Sequence, residues 1–123
     1  MWHDGGTMIR LRNHMVGVEQ GETLVFSDFE HDGPMWTGEG TRTARRRVTF
    51  ERPFRSTPAV QVGLAMWDIQ GQTNQRADIS TAQVTAEGFE LVFRTWGDTK
   101  VGRVRANWLA IGEVAHDDDW QLD

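Results

Sequence analysis

Apolar and polar residues alternate in short runs along most of the chain, with glycine and polar turns between them. That two-residue period predicts β-strands with one face turned inward. The first predicted strand is "TLVFSDF" (23–29), after a Gly-Glu turn at 21–22, and "EHDGPMWTGEGT" (30–41) reads as a long loop. In "TARRRVTF" (43–50), Val48 and Phe50 share one face while Arg45 and Arg47 take the other. "ERPFRSTP" (51–58) is a connection, because its prolines cannot sit in a central strand. The strongest strand is "AVQVGLAMWDI" (59–69), where Val60, Val62, Leu64 and Met66 share one parity and Gln61, Gly63, Ala65 and Trp67 the other. After a polar turn, "QGQTNQ" (70–75), come "RADISTAQVT" (76–85), "FELVFRTW" (89–96) and "VGRVRANWLAIGEV" (101–114). No stretch holds a helical period for three turns, so the pattern predicts an all-β sandwich or barrel.

Parity also sorts individual side chains. Phe89, Leu91 and Phe93 form the core face of their strand, and Trp108 joins Val104 and Ala110 on the core face of the last one. Trp96 falls on the other parity with Glu90 and Arg94, beside a Gly-Asp-Thr turn. Val92, Leu109, Ile111, Ala65 and Trp67 also fall on the non-core parity. An apolar outer face predicts burial against another subunit, with Gly63 and Ala65 permitting close approach.

Composition narrows the class. The 123 residues suit one domain, and 38% apolar with 25% charged residues is the balance of a soluble globular chain. A formal charge of −5 argues against nucleic acid as the main partner. There is no cysteine, hence no disulfide, thiolate metal site or thiol nucleophile. No apolar run approaches a membrane span, and "MWHDGGTMIRLRNHM" lacks the order of a signal peptide. Two locations stay open, the cytoplasm and release or surface display by a non-classical route.

Few residues are arranged for chemistry. His3, His14, His31 and His116 are scattered, with no pair at metal-ligand spacing. "DFEHD" (28–32) and "HDDDW" (116–120) could attract calcium, but neither matches an EF-hand, and a solvated loop and tail explain them. The serines sit in no nucleophile elbow, and "GEG" (38–40) is too short for a phosphate loop. "RTARRR" (42–47) could bind a polyanion, but a strand splits it across two faces between Glu39 and Glu51. No acid/base or nucleophile constellation appears, so neither an enzyme, a metal nor a cofactor is expected.

"VTFERPFRSTPAVQVGL" followed by "WDI", then "NQRADI", "VTAEGFELVFRTWGDTKV" and "ANWLAIG", resembles the H-type lectin domain, the family of snail agglutinins and the C-terminal domain of discoidins. The matched order runs over residues 48–112, with "GPMWTGEG" (33–40) fitting as the loop before the first matched strand. The resemblance implies a six-stranded antiparallel β-sandwich, assembled as a homotrimer or as paired trimers (a hexamer). It also implies galactose or N-acetylgalactosamine (GalNAc) binding at clefts between subunits, and a role in cell adhesion. It divides the chain into an N-terminal extension with at least one strand (1–32), a lectin-like domain (33–114) and an acidic tail (115–123).

By resemblance, Arg76 matches the family's binding Arg and Trp96 the binding Trp of the "TW" motif. Glu39 stands where the family places a sugar-binding Asp on the neighbouring protomer, and Gly38 or Gly40 would supply backbone contacts. Two positions depart from the pattern: Gly97 stands where His is common, and Gly102 where Tyr is often found. Both lost side chains would contact sugar, which predicts a more open or retuned cleft. Asp98, Arg103 and Trp36 are candidates to replace them. On the residues alone, other readings stand. Trp96 could pack on a neighbouring protomer, Arg76 could pair with Asp78 or Asp98, and Asp68 could cap a turn. The leading expectation is a lectin module. The other is a structural or attachment subunit of a larger surface or phage-like particle, with sugar affinity weak or lost.

Overall fold

A computed structural model describes residues 5–12 and 15–115 of the chain. His3, His14, His116 and the acidic run 116–120 lie outside the described residues. The elements are β1 (Val16–Ser27), α1 (Pro34–Thr37), β2 (Arg42–Thr49), β3 (Ala59–Ile69), β4 (Asp78–Ala82), β5 (Gly88–Thr95) and β6 (Val101–Glu113). They form two three-stranded sheets of order β1-β6-β3 and β2-β5-β4, every pairing antiparallel. The architecture is therefore the six-stranded antiparallel sandwich. No helix among the described residues is long and apolar enough to cross a membrane.

The core lies where alternation puts it. β5 contributes Phe89, Leu91 and Phe93, all fully buried, and β6 contributes Val104, Ala106, Trp108 and Ala110. Val48, Phe50 and Phe54 close the same cluster, with Phe50 edge-on to Phe54 at 5.0 Å. These interlocking rings join the two sheets through offset and edge contacts.

Three local departures from the sequence pattern bear on the site. β1 does not begin after a turn at 21–22. It runs through Gly21 and pairs with β6 from Val16↔Glu113 to Ser27↔Arg103. Gly21 belongs in the strand because a Cβ there would lie 2.8 Å from the Trp108 ring. Gly21→Ala should therefore displace that indole and lower stability by about 1–3 kcal/mol, the usual cost of overpacking, as a reduced denaturation midpoint.

The second departure is α1, a single turn inside the expected loop. Asp28 accepts the Met35 N–H at 3.0 Å, and Met35 is buried beneath the turn. The third is a bulge in β3 between Leu64 and Met66. It shifts the register by one, so Trp67 comes opposite Val104 and leaves the outer face that parity assigned it. The outer face of the β1-β6-β3 sheet is apolar at one end, where Val16 and Val18 of β1 join Leu109 and Ile111, with Val18 58% exposed and opposite Ile111; towards its middle it is polar, with Glu22, Gln61, Asn107 and Arg105.

Candidate functional site

The "TWGDT" segment, Thr95 to Thr99, follows β5 and organises the site. Thr95 and Thr99 are fully buried. Thr95 Oγ1 donates to the Arg76 carbonyl at 2.6 Å, and Thr99 Oγ1 donates to the Asn74 carbonyl. Together they clamp the chain leading into β4 against the turn after β5. A buried hydroxyl needs a partner, and these find it in the carbonyl of Arg76 and in the carbonyl two residues before it.

Arg76 is then fixed at its head. Its Nη1 donates to Asp98 Oδ1 at 2.6 Å and lies 3.4 Å from Thr99 Oγ1. Asn74 adds its side-chain and backbone N–H to the Asp98 carboxylate at 3.4 and 3.5 Å. Gly97 has φ +69, and a Cβ there would sit 2.9 Å from Arg76 Nη1. A side chain at this position would strain the backbone and require the guanidinium to shift. Trp96 stands at the rim, 38% exposed, with the Arg94 guanidinium 5.4 Å from its ring centre.

Arg42 joins the 34–41 loop to this turn. Its guanidinium donates to the carbonyls of Met35 (3.1 Å), Gly40 (2.9 Å), Gly97 (3.3 Å) and Thr99 (2.7 Å). Gly40 N–H donates to the Gly97 carbonyl at 2.9 Å, and Lys100 Nζ to the Gly38 carbonyl at 3.2 Å. Gly38 and the exposed Glu39 therefore lie beside the Trp96–Asp98 turn of their own chain. Of the other basic residues in that run, Arg45 pairs with Glu90 at 3.0 Å.

Arg103 and Trp36 belong to a different cluster. Arg103 holds Asp68 through Nε (2.8 Å) and Nη2 (2.6 Å) and stacks over Phe29 at 5.4 Å. Asp68 is thus an ion-pair partner rather than a turn cap. Gly102 is buried, and a Cβ there would meet Phe29 Cβ at 3.2 Å and Trp36 Cε3 at 3.4 Å. The missing Tyr leaves no hole at this position, because Phe29 and Trp36 occupy it.

Thr95, Thr99, Asn74 and Arg42 hold the turn and its flanks in place, and none of them was a candidate site residue from the sequence. Two threonines bracketing a Trp-Gly-Asp turn are the one signal for them in the sequence, because strand parity places Thr95 with Phe93 on the buried face.

The Asp98 carboxyl is held below the usual carboxylate range, first by the Arg76 hydrogen bond and then by Asn74. A depressed carboxylate stabilises the fold above its unfolded pKa and loses that contribution as pH falls through the folded value. The Arg76–Asp98 pair should therefore hold through mildly acidic pH and open only below the usual Asp range. A carboxyl-carbon NMR titration of Asp98 checks this, and a midpoint at or above the ordinary Asp value would contradict it.

Residues 45–111 match the H-type lectin domain family. The chain is 54% identical over 116 residues to "ATP synthase subunits region ORF 7" of Fuscovulum blasticum, covering 94% of this chain and all of that one. It is 32% identical over 81 residues to discoidin-2 of Dictyostelium discoideum, covering 65% of this chain and 32% of that one. The recombinant discoidin II structure from the same organism superposes with a TM-score of 0.70 at 27% identity, over 80% of this chain and 38% of that one. The chain thus spans well under half the length of the discoidins it resembles. With the family match covering more than half its residues and the sandwich in agreement, the chain belongs to the H-type lectin domain family.

Proposed function

We propose that this chain binds galactose- or N-acetylgalactosamine-type glycans, without catalysis, at clefts between copies of itself. One observation carries the reading: Arg76 and Asp98 are locked together beside a rim-exposed Trp96 on a turn that Thr95 and Thr99 clamp. A galactose-type sugar has one ring face of C–H groups and hydroxyls around its edge. The Trp96 face left free by Arg94 takes the C–H patch, Arg76 donates from the nitrogens that Asp98 leaves open, and carboxylates accept hydroxyls. Glu39, with the Gly38 backbone, offers its carboxylate across the interface to the Arg76–Trp96 face of the next copy. The apolar patch formed by Val16, Val18, Leu109 and Ile111 at one end of the β1-β6-β3 outer face supports assembly as a trimer or paired trimers. Several weak sites on one particle then gain avidity, as cell adhesion requires.

Trp96→Ala should weaken GalNAc binding about tenfold, the order of one lost stacking ring, in calorimetry on the assembled protein. Unchanged affinity would remove Trp96 from the site. Mixing Arg76→Ala chains with Glu39→Gln chains tests the shared cleft. A trans site regains intact copies in mixed oligomers, whereas a site within one chain regains none. A monomer mass in light scattering would sink the assembly itself. The same apolar patch also favours a second reading, a structural or attachment subunit of a larger particle. Particle association that sugar does not compete away would select it.

A further inference from the structure

We propose that a recess between Trp36 and Trp67 is a second saccharide-binding site that takes a neutral hexopyranose ring. It holds about 240 Å³ and is lined by Trp36, Trp67, Asp68, Ile69, Gln70 and Gln75. That is room for one monosaccharide, below the roughly 300 Å³ at which pockets for drug-sized ligands begin. The choice of ligand class rests on the lectin reading, but the site does not use Arg76 or Trp96.

Its walls are built by specific features of this chain. The β3 bulge carries Trp67 off the outer face and leaves it 50% exposed beside the recess. An indole so exposed presents a large apolar face to water, the kind of surface that a sugar's C–H patch covers. Trp36 lies over Gly102 of β6, where a Cβ would crowd Phe29 Cβ at 3.2 Å and reach the Trp36 ring at contact distance, 3.4 Å. The floor turn is stiffened by Gln70 N–H donating to the Lys100 carbonyl at 3.0 Å and Thr73 Oγ1 to the Gln70 carbonyl at 2.9 Å.

Charge selects the ligand. Two aromatic walls with a carboxylate could also cage an ammonium group. Here, however, Arg103 already balances Asp68, and both of its bonds fall on Oδ2. A cation would find its countercharge taken. A polyol finds Oδ1 to accept a hydroxyl, and the amides of Gln70 and Gln75 to donate or accept. The 70–75 turn separates this recess from the first site: Gln75 lines the recess, whereas Asn74 turns to Asp98. One chain therefore offers two ring-binding positions on opposite flanks of one turn.

The test is a titration of the full chain with ¹⁵N-labelled indoles, read by NMR. Each signal is assigned from a Trp→Phe variant, and the ligands are methyl α-galactoside, methyl α-glucoside and methyl α-mannoside. The Trp67 and Trp36 signals should move together with at least one glycoside and keep doing so in Trp96→Phe. Trp67→Ala should weaken the Trp36 response about tenfold and leave the Trp96 response in place. Silence of Trp67 and Trp36 up to the solubility limit would overturn the proposal. So would shifts that vanish in Trp96→Phe, or shifts with choline and none with glycosides. A silent Trp96 beside a responsive Trp67 would instead remove the first site and leave this one standing.

Discussion

Arg76→Ala should abolish measurable GalNAc binding while the sandwich stays folded. The side chain lies outside the apolar core, and its backbone is secured by Thr95 Oγ1 at the carbonyl, which the substitution keeps. What is lost is a preset donor. Nη1 donates to Asp98 at 2.6 Å, which biases the guanidinium toward one orientation of its remaining N–H groups. Hydrogen bonds to a charged group contribute about 1.5–3 kcal/mol each, so losing even one lowers affinity by roughly 10- to 150-fold. Single lectin sites are weak already, and that factor takes them out of range. The truncation also strips Asp98 of its main partner, and its carboxyl should rise toward the usual range. Arg76→Lys separates charge from geometry. A lysine restores a point charge but not the planar fork, so it should recover the Asp98 pair and little of the sugar affinity. Calorimetry gives the binding loss, and circular dichroism shows whether the sheets persist. Full affinity in a folded Arg76→Ala protein would rule this residue out.

The contrast between core and site explains what the sequence could reveal. Strands β3, β5 and β6 were legible within a residue or so, because Phe89, Leu91 and Phe93, or Val104, Ala106 and Trp108, repeat with period two against a buried face. β1 was legible only in its second half. Gly21 reads as a turn residue, yet it is there because Trp108 fills the space a side chain would need. Trp67 was misassigned for a similar reason, since one extra residue in a bulge inverts every later side chain. At the candidate site, Arg76 and Trp96 were named through resemblance. Asp98 was named there as a possible partner of Arg76, but the threonine supports were not, because a hydroxyl bonding a carbonyl many residues away leaves no periodic trace. Gly97 and Gly102 show the limit most clearly. In the sequence both are missing contacts. In the structure one lies against Arg76 and the other against Phe29 and Trp36.

Phe89→Ala should be the most damaging single substitution for stability. Phe89 is fully buried near the start of β5 and lies opposite Val48 across the β2 ladder. Its ring packs on Phe50 at 5.8 Å and edge-on to Trp108 at 5.5 Å, so it touches both sheets. Removing it leaves a cavity walled by rigid rings, which collapse poorly. The expected loss is about 3–5 kcal/mol, a large share of the 5–15 kcal/mol typical of a domain. In a thermal melt this corresponds to a drop of roughly 10–20 °C. Function should not follow stability in proportion. Trp96 lies seven residues further along, roughly 23 Å by strand rise, beyond the opposite end of β5. At temperatures where the variant is still folded, Trp96-dependent sugar affinity should be near that of the unaltered protein. If affinity fell together with the melting temperature, the turn at 95–99 would owe its geometry to the distant core. The local clamp by Thr95 and Thr99 would then be insufficient to hold Arg76 in place.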